Sequence, residues 1–109
     1  MSNLRVVYMG TPDFSVPALR ELIEGPHHVV GVVTQPDRPS GRGKKLTPTP
    51  VKALAIEHGI EVYQPERLRK NDEAFAHISA WKPDVCVVAA YGQILPQRFL
   101  DIARLGCIN

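Results

Sequence analysis

The chain has 109 residues, 44% apolar and 22% charged, with a formal net charge of +2; that is one domain at most, able to bury roughly two thirds of the surface its unfolded form exposes. The longest apolar run, VCVVAAY at 85–91, is too short to cross a bilayer. Residues 1–10 lack the long apolar core and cleavage site of a secretory leader, so a cytoplasmic protein is expected.

Residues 4–9 (LRVVYM) form a β-branched-rich run ended by Gly10, and Ser15 is placed to cap a helix with Val16, Leu19, Leu22 and Ile23 on one face. VVGVVT at 29–34 reads as a second strand. Thr49 before Pro50 reads as the N-cap and first-turn proline of a helix ending at Gly59. Residues 60–63 give a short third strand. Asn71 caps a helix carrying Phe75, Ile78 and Trp81, which Pro83 forbids to continue. VCVVAA at 85–90 is apolar on both faces, as a strand covered on both sides must be. A fourth helix over 96–103 leads to a strand beginning at 106–109.

Strands alternating with helices at this spacing pair in parallel through right-handed crossovers, which predicts an α/β, Rossmann-like open sheet with helices on both faces. Ligands of such sheets gather at the carboxyl ends of the strands. Three loops leave those ends: 10–13, the long stretch after the second strand, and 91–96.

That long stretch, QPDRPSGRGKKLTPTPVK at 35–52, holds Arg38, Arg42, Lys44, Lys45 and Lys52 against one acid, Asp37, for a charge of +4. The remaining eight basic and ten acidic residues leave the rest of the chain at −2. Concentrated positive charge on an adaptable excursion suits capture of a phosphate backbone, without identifying which. Familiar nucleotide motifs fail. GxGxxG is absent after the first strand, where Pro12 removes a donor and Asp13 repels phosphate; a P-loop would need Gly where Arg38 stands and a hydroxyl where Lys45 stands. Cys86 and Cys107 sit in apolar runs without CxxC spacing and read as small buried hydrophobes. His27, His28, His58 and His77 have no metal-ligand spacing and are expected to be solvated; no metal is expected.

GTPDFSVPAL (10–19), VVTQPDRPSGRGKKLTPTPVK (32–52), VYQPE (62–66), VVAAYGQILP (87–96) and LGCIN (105–109), in this order, resemble the amino-terminal part of bacterial methionyl-tRNA formyltransferases. The resemblance implies transfer of a formyl group from 10-formyltetrahydrofolate to the α-amino group of methionyl initiator tRNA in translation initiation, by a monomeric enzyme. It implies that Asn109 donates its side-chain N–H to the formyl oxygen as negative charge builds there. It assigns Tyr91, Gly92, Gln93, Ile94 and Leu95 to the folate pterin, and Gly10, Thr11, Asp13 and Phe14 to the loop facing the acceptor amino acid. Arg38, Arg42, Lys44 and Lys45 would engage the tRNA acceptor stem.

The family pattern continues past this asparagine with a hydrophobic residue, a catalytic histidine and, much later, an aspartate. Neither is present in 1–109. The chain is therefore expected to be the first part of a catalytic domain, without the rest of that domain or a carboxyl-terminal tRNA-binding domain, and inactive by itself. Two other readings stand beside this one: a formyltransferase acting on a small nucleotide or sugar amine, which does not call for the basic stretch, and a non-catalytic RNA-binding module.

Overall fold

The computed structural model describes residues 3–40 and 45–109. Five strands, β1 (Arg5–Gly10), β2 (His28–Val33), β5 (Val62–Tyr63), β6 (Val85–Ala89) and β7 (Cys107–Ile108), form one sheet in the order β5-β2-β1-β6-β7. Every pairing in it is parallel. The order reverses beside β1, which places the crevice of an open α/β sheet at the carboxyl ends of β1, β2 and β6. The Rossmann-like expectation holds.

Side chains alternate across the sheet with the period of two that a strand imposes. Val7, Met9, Val33 and Cys86 face one side, under α3 (Asp72–Ala80) and the short α4 (Gln97–Leu100). Tyr8 and Val32 face the other, under Leu19 of α1 (Val16–Glu24) and Val51, Leu54 and Ala55 of α2 (Pro50–Glu57). No helix among the described residues is long and apolar enough to cross a membrane.

Two caps act as read from the sequence. Thr49 Oγ1 accepts from the Lys52 N–H at 3.1 Å, and Asn71 Oδ1 accepts from the Ala74 N–H at 2.9 Å. Ser15 does not. Its hydroxyl donates to the Ala89 carbonyl at 2.6 Å, and α1 is entered through a 3-10 turn, Asp13–Ser15, closed by Ser15 N–H to Pro12 C=O at 3.0 Å. The hydroxyl thus pins the first helix to the end of β6.

The fourth helix is a single turn where residues 96–103 were expected. The chain must leave it early because the Leu105 N–H bonds the Asp84 carbonyl at 2.8 Å, starting the approach to β7. The basic stretch, expected as an irregular excursion, pairs its two ends as an antiparallel ladder, β3 (Arg38–Ser40) against β4 (Lys45–Thr47). Arg42 and Lys44 lie outside the described residues.

Cys86 is buried and Cys107 half-buried, both as free thiols; burial pushes the Cys86 thiol up to about 12, so it packs as a hydrophobe. Two histidines depart from the solvated expectation. His27 Nδ1 accepts from the Leu4 N–H at 2.9 Å, while His77 stacks on Tyr63 with centroids 3.9 Å apart and bonds Glu61 at 2.9 Å. Among the described residues no group of three or more His, Cys, Asp or Glu is arranged to hold a metal ion.

Candidate active site

β6 delivers the chain to the top of the sheet, where Ala90 and Gly92 take positive φ values of 57° and 104°. These turn the loop 91–95 back over the strand end. Tyr91 is buried beneath it, Leu95 is half-buried, and Ile94 is 93% exposed at the cleft. The main-chain N–H and C=O groups of residues 92–95 carry no hydrogen bond among the described residues. An edge of free donors and acceptors beside apolar side chains suits a flat heteroaromatic ring with polar edges.

On the far side of this loop β7, paired to β6 through Cys86↔Cys107 and Val87↔Ile108, carries Asn109 to the same level. The loop and Asn109 enclose a cleft of about 430 Å³, with Val88 and Leu100 among its walls. The resemblance gives Asn109 to the formyl oxygen and residues 91–95 to the pterin; of these, Asn109, Tyr91, Gln93, Ile94 and Leu95 line one cavity, and Gly92 does not. Gln93 lines the cleft, but its carboxamide is fully engaged with protein partners. Among the described residues no histidine lines the cleft.

The loop after β1 approaches from the other side. Gly10 is buried at the strand end, and Thr11 Oγ1 donates to the Tyr91 carbonyl at 2.7 Å, joining the two loops. Asp13 is exposed within the 3-10 turn, and Phe14 is 73% exposed beside it. Thr11 is therefore structural as well as adjacent to the site, while Asp13 and Phe14 face outward.

Arg38 and Lys45 are exposed on the β3–β4 ladder, and Lys45 sits opposite Ser40. Lys52, counted from sequence with the other cations, is spoken for: its Nζ pairs with Asp37 at 2.9 Å. That hydrogen bond, with a second from Gln64 Nε2 at 2.7 Å, holds the Asp37 carboxyl below its ordinary range. The one acid of the basic stretch is thus neutralised at its root, leaving Arg38 and Lys45 without that counter-charge.

Sequence reasoning missed Gln35, Asp37 and Gln64, which stitch the strand-end loops together. A polar residue directly after an apolar strand was the only signal available for Gln35.

The sequence profile of the formyl transferase family matches residues 3–109. The chain is 61% identical over 105 residues to the methionyl-tRNA formyltransferase of Bacillus subtilis (strain 168), covering 96% of this chain and 33% of that protein. It is 59% identical over 107 residues to that of Ectopseudomonas mendocina (strain ymp), covering 98% of this chain and 34% of that protein. The chain thus spans about a third of the length of these relatives. The crystal structure of phosphoribosylglycinamide formyltransferase from Anaplasma phagocytophilum superposes with a TM-score of 0.63 at 18% identity, over 92% of this chain and 45% of that one, and so shares the fold. With the family profile matched over nearly its whole length, the chain belongs to the formyl transferase family.

Proposed function

We propose that these residues form the amino-terminal part of the catalytic domain of an enzyme that transfers a formyl group from 10-formyltetrahydrofolate to the α-amino group of methionyl initiator tRNA. The observation that carries this reading is the convergence of Asn109 with the unpaired main-chain edge of residues 92–95 on one cleft. The identity of about three fifths to methionyl-tRNA formyltransferases supports the choice of acceptor.

The cleft fits the donor in kind. Ile94 and Leu95 offer apolar surface to a pterin, and the free N–H and C=O groups of the loop offer partners to its polar edge. When bound, the donor supplies the one-carbon unit at the formyl oxidation level. Asn109 acts on that unit's oxygen: amine attack at the formyl carbon makes the oxygen negative, and the Asn109 side-chain N–H stabilises that charge more than it stabilises the neutral carbonyl. The attacking nitrogen must also lose a proton. Among the described residues no histidine lines the cleft, so none of His27, His28, His58 and His77 is placed to take that proton.

Arg38 and Lys45, with Arg42 and Lys44 of the same stretch, hold the acceptor stem by its phosphates. The test is labelled formyl transfer by the full-length protein carrying this chain, offered methionyl-tRNA, glycinamide ribonucleotide and amino sugars in parallel. Transfer to methionyl-tRNA is expected. Transfer confined to small amines would replace the acceptor, and tight RNA binding without transfer would replace the enzyme with a binding module.

A further inference from the structure

Gln35 follows β2 by two residues, and its polar groups reach three different loops. Its N–H donates to Thr11 Oγ1 at 3.3 Å, its C=O accepts from Gln64 Nε2 at 3.2 Å, and its side-chain Oε1 accepts from Gln93 Nε2 at 3.0 Å. Gln93 in turn accepts from the Leu68 N–H through Oε1 at 3.0 Å and donates to the Glu66 carbonyl through Nε2 at 3.1 Å.

These partners fix which way each carboxamide points. A main-chain N–H can only donate and a main-chain carbonyl can only accept, so the Gln93 oxygen must face Leu68 and its nitrogen Glu66. Gln35 must then turn its oxygen toward Gln93, which sends its own NH₂ over Gly92. A Cβ at Gly92 would come within 2.7 Å of that nitrogen, so only glycine lets Gln35 lie there. With both amide hydrogens and its oxygen engaged, Gln93 has its bonding spent on the protein.

We propose that Gln35 is a positioning residue for the formyl donor: through Gln93 it clamps the loop 91–95 against β2 and the 66–68 turn, setting the unpaired main-chain edge that would meet the pterin. This rests on the functional reading above. A clamp made before the ligand arrives spares the ordering cost that a loose loop would take from binding. Its loss should therefore weaken donor binding rather than slow the chemical step.

The experiment uses the full-length protein with Gln35→Leu, Gln35→Glu and Gln93→Leu. Gln35→Leu removes the acceptor and should raise KM for 10-formyltetrahydrofolate about three- to tenfold, the span of one net hydrogen bond, with kcat changed much less. Gln35→Glu keeps an oxygen facing Gln93 and should recover most of that loss. Adding Gln35→Leu to Gln93→Leu should cost little more than Gln93→Leu alone, since Gln93→Leu already removes the bond between the two carboxamides along with those to Leu68 and Glu66. Hydrogen exchange at the Leu68 amide, which should quicken in Gln35→Leu, reads the clamp without any turnover. An unaltered Leu68 rate overturns the clamp, and an unaltered KM with only a lowered Tm reduces Gln35 to a structural residue. Failure of the wild-type protein to transfer formyl groups would instead remove the functional reading, with the exchange measurement still deciding whether Gln35 holds the loop.

Discussion

Thr11 Oγ1 donates to the Tyr91 carbonyl at 2.7 Å, so two loops 80 residues apart in sequence meet through one hydroxyl above the ends of β1 and β6. The same oxygen accepts from the Gln35 N–H at 3.3 Å. Thr11→Val keeps the side chain's shape and removes both roles, leaving a half-buried carbonyl without its partner. We expect a loss of about 1 kcal/mol in denaturant unfolding of the full-length protein, with Thr11→Ser close to wild type. An equal loss in both variants would point to packing of the methyl group instead.

Gly31 lies beneath Trp81, and an added Cβ would stand 2.6 Å from three atoms of the indole. The ring is wedged there by edge contacts with Tyr63 and His77, at centroid distances of 6.5 and 5.2 Å, so it has little room to retreat. Gly31→Ala should cost about 1–3 kcal/mol by overpacking, measured as a lowered denaturation midpoint. A neutral result would mean that α3 shifts freely on the sheet.

What the sequence discloses and what it hides divide by distance along the chain. Thr49 and Asn71 were readable as caps because a cap and its target N–H lie three residues apart, and the strands were readable from β-branched runs. Ser15 was misread because its true partner, Ala89, is 74 residues away and beats the local N–H. Gln35 and Gln93 are separated by 58 residues, and nothing local marks them as a pair. Lys52 looked like part of a phosphate-binding cluster because charge counting cannot show which cation faces Asp37. Asn109 and residues 91–95 came from family resemblance; their shared cavity needed the parallel pairing of β6 and β7.

Asp84 supplies a pH signature. Its carboxylate accepts from the Arg5 N–H at 2.8 Å and from Arg104 Nε at 2.7 Å, and these bonds, the main-chain one foremost, hold it below its ordinary value of 3.8. A group lowered on folding contributes stability above its unfolded pKa and loses it as pH falls through the folded value. The stability gap between wild type and Asp84→Asn should thus be constant near neutral pH and close only in acid, below about 3.8. A gap that closes at higher pH would assign the effect to another group.

Binding of tRNA should fall steeply with salt, because each phosphate neutralised on a duplex stem adds about −0.9 to the log-log slope. Replacing Arg38, Arg42, Lys44 and Lys45 together by Ala should flatten that slope by up to ~3.6 if each meets one phosphate. Lys52→Ala tests a different bond, since Lys52 is held by Asp37, and should leave the slope nearly unaltered. A slope insensitive to the four substitutions would leave the ladder as a solvated surface feature.

Asn109 follows β7 and lines the cleft, so its side chain borders the space that a substrate would fill. Asn109→Ala should leave Tm close to wild type while kcat for formyl transfer falls about 10²- to 10³-fold, the usual cost of one lost donor to a developing oxyanion. KM for both substrates should change little, because the interaction strengthens only as charge moves onto the oxygen. Asn109→Asp is the sharper variant: it preserves size but exchanges the donor for a negative charge, which repels the oxyanion and should fall at least as far as Ala. A raised KM with unchanged kcat would make Asn109 a ground-state binding group and move the oxyanion donor elsewhere, the nearest alternatives being the free main-chain N–H groups of residues 92–95 across the same cleft.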